Sequence, residues 1–234
     1  EIKNLFPKAN VSRMDADTTQ TKKSHERILT SFKNREIDVL VGTQMITKGL
    51  DFPNVTLVGV VSADTMLNLP DFRAAERTFN LITQVAGRAG RGEKPGEVLV
   101  QTYNPDHYSI VNAKTHNYVG FYNYELEIRR ELFYPPFSHL INIVGRGTDV
   151  KKVEEVMFNL ARNLRAEISH LKSKIIILGP GPAAIEIVRR KYRWQLLIKA
   201  EEVEILNPVL HKCIEKLSKS SVIITVDIDP MTVL

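Results

Sequence analysis

The spacing of apolar and polar residues changes partway along the chain, and each regime predicts a different architecture. In the first part, short β-branched runs alternate with stretches of helical spacing. Asp38–Thr43, Thr56–Val61 and Gly96–Gln101 read as buried strands. Lys23–Lys33 and Phe72–Ala86 read as helices, the second with Phe72, Phe79, Ile82 and Val85 on one face. Strands separated by helices predict a parallel α/β sheet, in which ligands gather at the carboxyl ends of the strands.

From Asp106 to about Tyr134 the pattern is helical and amphipathic, and Pro135-Pro136 stops it. This stretch reads as a connector. Beyond it come a strand at His139–Arg146 and a helix at Val150–Leu171, with Val153, Val156, Leu160, Leu164 and Leu171 on its inner stripe. A strand at Lys174–Leu178, a Gly-Pro-Gly-Pro turn at Gly179–Pro182 and an extended basic segment reaching Lys199 follow. A helix at Val203–Leu217 and a strand at Val222–Ile228 complete the order β-α-β-β-α-β, which is that of a ferredoxin-like two-layer domain. The pattern thus divides the chain into an α/β part at 1–104, a helical connector at 105–136 and a small α/β domain at 137–234. No internal repeat or low-complexity tract interrupts it.

Composition narrows this only slightly. The 234 residues have ordinary globular proportions of apolar and charged side chains. No apolar run reaches the roughly 18 residues of a membrane span, and the first residues lack a signal-peptide pattern, so no membrane partner is expected. Cys213 is the single cysteine, which excludes internal disulfides and cysteine-rich zinc sites within the chain and fits a reducing, cytoplasmic setting. The histidines show no ligand spacing, so no metal is expected here. A net charge of +5 hints at a polyanionic partner without deciding for one.

Two segments carry chemistry. In Gln84-Val85-Ala86-Gly87-Arg88-Ala89-Gly90-Arg91, glycines let the backbone pass close to a ligand and two forked guanidiniums suit phosphate oxygens. The plain alternative is a glycine-rich surface turn with solvated arginines. In Val41-Gly42-Thr43-Gln44-Met45-Ile46-Thr47-Lys48-Gly49-Leu50-Asp51-Phe52-Pro53, a strand leads directly into Thr43 and Gln44, and Asp51 follows a glycine. Its alternative is a strand-to-helix connection with Asp51 as a cap. Either segment alone admits the plain reading. Both together, in this order around a strand–helix unit, do not.

These segments resemble motifs V and VI of superfamily-two helicases, and the fuller pattern resembles the PriA family of replication-restart DNA helicases. The likeness includes Arg13-Met14-Asp15-Ala16-Asp17-Thr18-Thr19 and Asp71-Phe72-Arg73-Ala74-Ala75-Glu76-Arg77. It continues through Leu132–Phe137, Gly179–Ala183, Tyr192-Arg193-Trp194-Gln195 and Asp227-Ile228-Asp229-Pro230, and so covers essentially the whole chain. The resemblance implies a partial RecA-like second motor lobe at 1–104 and a carboxyl-terminal DNA- and partner-binding domain at 137–234. It implies ATP held between two lobes, with Arg91 as the arginine finger and Arg88 as its partner. Gln84 and Gly87, with Gly49 and Asp51, would meet the nucleotide. Arg13, Thr18, Thr43, Gln44 and Lys48 would hold the tracked DNA strand. The activity implied is an ATP-dependent DNA helicase that remodels stalled forks and helps other primosome proteins reload the replicative helicase.

The chain contains neither a Gly-Lys nor an Asp-Glu dipeptide, so it carries no Walker A loop and no Walker B pair. ATP and Mg²⁺ are therefore expected to be held mainly by the other lobe. Zn²⁺ is expected in the parent protein, in a module inserted into the second lobe, and not in this chain. On the same resemblance the chain starts just after that module, at a helix already under way over Glu1–Phe6, with the lobe short of its first strand. The chain by itself is expected to hydrolyse no ATP.

Arg189-Arg190-Lys191-Tyr192-Arg193-Trp194-Gln195 places four cations and two aromatics in seven residues. Cations track phosphates and rings stack on bases, so Arg189, Arg190 and Arg193 are candidate DNA contacts. The alternative is a hairpin with a solvated face and Trp194 in the core. Strand alternation points Tyr192 and Trp194 one way and Arg193 and Gln195 the other. The resemblance links Lys191 and Gln195, with Trp194 beside them, to the acidic tail of single-stranded-DNA-binding protein; the shorter, less glycine-rich approach to this stretch departs from the family pattern. Among other residues, Cys213 reads as core, the Glu154, Glu155, Arg162 and Arg165 group as a solvated helix face, and Asp227 and Asp229 as partners for the basic hairpin. A non-enzymatic docking module on a helicase-like scaffold is the competing class, and an RNA-directed helicase a third.

Overall fold

The computed structural model describes residues 1–15, 22–43, 52, 54–87, 95–217 and 220–234. Two compact units emerge: Glu1–Leu67 with Ala75–Tyr118, and Asn68–Ala74 with Val119–Leu234.

In the first unit a short α1 (Ile2–Leu5) precedes two parallel strand pairs. β1 (Val11–Met14) and β2 (Val39–Gly42) are joined through α2 (Lys22–Lys33). β3 (Leu57–Val60) and β4 (Glu97–Val100) are joined through α3 (Asp64–Leu67) and α4 (Ala74–Ala86). The three expected strands are present, each trimmed at its ends, but none is buried as expected: β2 is half-buried up to an exposed Gly42, and β3 and β4 alternate exposed and half-buried residues. β1 was not expected, because Val-Ser-Arg-Met is short and carries a charge at its third position. Phe79, Ile82 and Val85 of α4 are buried as the periodicity requires. Phe72 lies before the helix, because the Asp71 carboxylate accepts the Arg73 N–H and sets the helix start beyond it.

Asp64 opens α3 almost fully buried and accepts hydrogen bonds from the Tyr103 N–H, the Thr102 hydroxyl and the Asn104 amide. Burial pushes its carboxyl up, but these bonds outweigh that and hold the group below its ordinary value of 3.8. A depressed carboxylate contributes stability that is complete above the ordinary value and is lost as pH falls through the folded one. Melting temperatures across an acid series are expected to fall below about pH 4 in the parent chain and to fall less steeply in Asp64→Asn. Parallel acid limbs would remove Asp64 as a source of the pH dependence.

The expected single connector helix is two helices, α5 (Tyr108–Lys114) and α6 (Tyr118–Glu131). His116 takes a left-handed φ of 52°, the His116 N–H bonds the Ala113 carbonyl, and the Asn117 N–H bonds the Asn112 carbonyl. This is a Schellman cap, which ends a helix irrespective of its apolar stripe.

The second unit is built on a four-stranded antiparallel sheet ordered β6-β7-β5-β8, formed by β5 (His139–Gly147), β6 (Ile175–Val188), β7 (Lys191–Ala200) and β8 (Ile223–Ile228). The helices α7 (Val150–Ile168) and α8 (Asn207–Glu215) pack on one face. Ile141 and Ile143, Leu196 and Ile198, Val153, Met157, Leu160 and Leu164, and Leu210 and Cys213 make a dry core between them. Each such side chain contributes on the order of 1.5–3 kcal/mol. Cys213 is fully buried, and burial together with nearby Glu167 raises its thiol pKa, so it behaves as a core residue.

Gly179–Pro182 does not turn the chain: β6 runs straight through it. Three features permit this. β6 is an edge strand, where a missing N–H costs no ladder bond. Gly179 adopts φ 91° at a register shift between Leu178 and Gly181. The Arg165 guanidinium donates to the Gly179 carbonyl at 2.6 Å. α8 begins at Asn207 rather than Val203, after a turn closed by the Leu206 N–H on the Val203 carbonyl.

Part of the helix-free face is covered from within the same unit. Leu140 and Leu197 pack with Val233, Phe72 and Tyr134. Asp71 accepts from the Thr232 hydroxyl at 2.6 Å and the Val233 N–H at 3.4 Å. Phe72 stacks on Tyr134 at 5.2 Å between centroids, with Arg129 over Phe72 and the Lys199 ammonium over Tyr134. Burial lowers the Lys199 pKa, while burial and Asp71 raise that of Tyr134. Asp229 does not pair with the basic hairpin. It bonds His139 at 2.7 Å and the Leu140 N–H at 3.1 Å, because the end of β8 lies against the start of β5.

Candidate nucleic-acid interface

β6 and β7 form a long hairpin closed by two residues, Arg189 and Arg190, between the paired Val188 and Lys191. A two-residue connection whose twist matches its strands needs positive φ at both positions, for which Asn-Gly is the usual solution. Here both positions are arginine, at φ 50° and 62°. Each left-handed non-glycine residue costs roughly 1–2 kcal/mol, so the turn holds two guanidiniums where cheaper residues would serve the backbone equally well. Both are exposed, and neither they nor Lys191 enters a salt bridge among the described residues.

Alternation along β7 then sorts its side chains. Trp194, Leu196 and Ile198 turn toward the helices, Trp194 half-buried against the core with its ring 5.8 Å from that of Phe158 in an edge-to-face contact. Lys191, Arg193 and Gln195 take the other face. Arg193 stands opposite Arg146 of β5 and donates to the Ile185 carbonyl at 3.2 Å. That bond spans a bulge in which Ala183–Glu186 lie between the paired Pro182 and Ile187. Gln195 is less available than strand alternation suggests, since its Oε1 is buried without a hydrogen-bond partner. Sequence pattern alone does not single out Arg146, which lies within the strand β5. A cation inside an otherwise apolar alternating run was the available signal.

In the first unit, Arg13 is exposed on β1 and ion-paired with the buried Asp15. Thr43 is exposed just past the carboxyl end of β2. Gln84 is exposed in the last turn of α4, and Gly87 follows, its N–H bonded to the Thr83 carbonyl at 3.0 Å. A Cβ at Gly87 would meet only the Thr83 and Gln84 carbonyl oxygens, at 3.6 and 3.7 Å, so nothing nearby in the described structure demands glycine there. Thr18, Gln44, Lys48, Gly49, Asp51, Arg88 and Arg91 lie outside the described residues. No set of three or more metal-ligating side chains occurs among the described residues, and none of the described helices is long and apolar enough to cross a membrane.

A model described as the helicase conserved C-terminal domain matches residues 1–93, and one described as the primosomal protein N C-terminal domain matches residues 130–231. The replication restart protein PriA of Bacillus subtilis is 46% identical over 234 residues, covering 98% of this chain and 29% of that protein. The protein of the same name from Synechocystis is 45% identical over 229 residues, covering 97% of the chain and 27% of that protein. That of Chlamydia pneumoniae is 40% identical over 233 residues, covering 99% and 31%. The chain therefore spans about three-tenths of the length of these relatives. With relatives aligned along nearly all of it and both models matching in succession, the chain belongs to the replication restart protein PriA family.

Proposed function

We propose that this chain forms the second motor lobe and the carboxyl-terminal DNA- and partner-binding domain of an ATP-dependent superfamily-two DNA helicase of replication restart. The observation that carries this reading is the succession of helicase-type and primosomal carboxyl-terminal sequence on one chain. In this reading residues 1–104 are a partial RecA-like lobe, 105–136 the connector and 137–234 a ferredoxin-like domain. Parallel β-α-β crossings support the first assignment, and the β6-β7-β5-β8 order with both helices on one face supports the last. The parent enzyme works in the cytoplasm, remodelling stalled forks and helping other primosome proteins load the replicative helicase.

Arg91 serves as the finger and Arg88 as its partner on a γ-phosphate held, with Mg²⁺, by the other lobe. Gln84 and Gly87, with Gly49 and Asp51, meet the nucleotide. Arg13, Thr18, Thr43, Gln44 and Lys48 hold the tracked strand. Without a phosphate-cradling loop, the chain alone turns over no ATP. Zinc belongs to another part of the parent: the one cysteine here is buried with a raised thiol pKa and does not suit a metal.

Arg189, Arg190 and Arg193 contact DNA, and Lys191 and Gln195 meet the acidic tail of single-stranded-DNA-binding protein; Trp194, turned to the helices against Phe158, backs the strand from the opposite face instead of joining them. Competition binding on the full chain tests this. Single-stranded and forked DNA are expected to displace a labelled strand at lower concentration than RNA of the same sequence, and an acidic tail peptide to lose at least about tenfold affinity in Lys191→Glu/Arg193→Glu. Equal displacement by RNA would shift the reading to an RNA-directed motor. An unchanged peptide affinity would remove these side chains from the tail site.

A further inference from the structure

We infer that Arg146 joins Arg193 in a two-arginine clamp for a DNA phosphodiester on the helix-free face of the four-stranded sheet, an inference that rests on the DNA-binding reading above. The two residues are register partners on β5 and β7. Facing positions of an antiparallel pair bring Cβ atoms to about 4.5–5.5 Å, and like charges placed there destabilise the sheet. Nothing in the described structure compensates. Arg146 makes no side-chain hydrogen bond or ion pair among the described residues, and its Nε is buried without a partner. Its neighbour on the other side, in β8, is Ile223. Arg193 bonds only the neutral Ile185 carbonyl.

The same face holds two more unmet polar atoms. Asn142 lies two positions from Val144 on β5, is 6% exposed, and has an Oδ1 without a partner. Gln195 pairs in register with Val144, and its Oε1 is also buried and unpartnered. Buried polar groups are otherwise almost always satisfied. Those enclosed oxygens are out of reach of an incoming ligand, whereas Arg146 and Arg193 are only half-buried, and their forked guanidiniums match phosphate oxygens. The cations also continue along the hairpin. Lys191 lies two residues from Arg193 on the same face, about 6.6 Å along the strand, and Arg190 and Arg189 follow at the exposed tip. Arg189 and Arg190, given to DNA in the reading above, would extend the phosphate track beyond Lys191, which that reading gives to the acidic tail.

The test is the salt dependence of a fluorescently labelled single-stranded oligonucleotide bound by the full chain, with Arg146→Gln alongside. Affinity is expected to fall about tenfold at low salt, and the slope of log K against log salt to shrink by about 0.7, one phosphate contact fewer. The melting temperature without DNA is expected to stay level or rise, because one of two facing like charges has gone. An unchanged slope overturns the clamp, as does a lost affinity accompanied by a lower melting temperature. An affinity loss confined to an acidic peptide overturns the phosphate assignment. If the unaltered chain binds no DNA, the broader nucleic-acid reading falls and the clamp with it. Binding by the unaltered chain with no change in the variant sinks the clamp alone.

Discussion

Arg91→Ala, in a protein that also carries the nucleotide-holding lobe, is expected to cut DNA-stimulated ATP turnover by about 10³–10⁵-fold. A finger arginine meets charge that develops on the γ-phosphate in the transition state, so its loss falls mainly on kcat and little on the KM for ATP. Arg91→Lys is expected to recover little, since an ammonium lacks the planar fork. Arg88→Ala is expected to be the milder change, Arg88 being the supporting member of the pair. Steady-state rates over an ATP series, with DNA in excess, separate the two parameters. A variant that keeps kcat and loses only KM would make Arg91 a ground-state binder, and undiminished turnover would end the finger assignment.

Leu160→Ala is expected to destabilise the second unit by about 2–5 kcal/mol. Leu160 is wholly buried on α7, between Met157 and Leu164 on the same stripe, in the core shared with Ile141, Ile143, Leu196 and Ile198. A cavity there has nowhere to drain, because the neighbouring side chains are themselves fully enclosed. Urea unfolding followed by circular dichroism should show a lowered midpoint with an unchanged slope. A loss below about 1 kcal/mol would mean that Met157, the most flexible of the neighbours, refills the space.

How far the fold was legible depended on range. β2, β3 and β4 were found within a residue or so of their limits, because a short β-branched run bounded by polar residues marks a strand even where, as here, it is only half-buried. The alternation of β7 was also legible, with Trp194 and Arg193 on opposite faces, but which face meets the core was left open, and the structure turns Trp194 to it. Misreadings arose where local preference met a distant partner. Gly179–Pro182 has the composition of a turn, yet an edge position and a bulge absorbed it into β6. The run from Asp106 to Tyr134 is amphipathic throughout, yet a left-handed His116 divides it. Asp229 looked like a counter-ion for the hairpin, yet β8 pairs its end with the start of β5.

The candidate site divides along the same line. The cations of Arg189–Arg193 and the glycine–arginine segment at Gly87–Arg91 were visible as residue types at fixed spacing. Arg146 was not, because its importance comes from Arg193, a residue 47 positions away that only sheet register places opposite it. Local conformational energetics, such as apolar period, proline and glycine, act within a few residues and are written into the chain directly. By itself, the amino-acid order therefore determined most of the elements, the family and the cationic stretch, but not β1, the course of β6 through Gly179–Pro182 or the break at His116. The tertiary structure decided which charges face one another and which polar atoms go unmet, since those depend on strand pairing across long loops, and a shift of one residue would have turned every side chain to the other face.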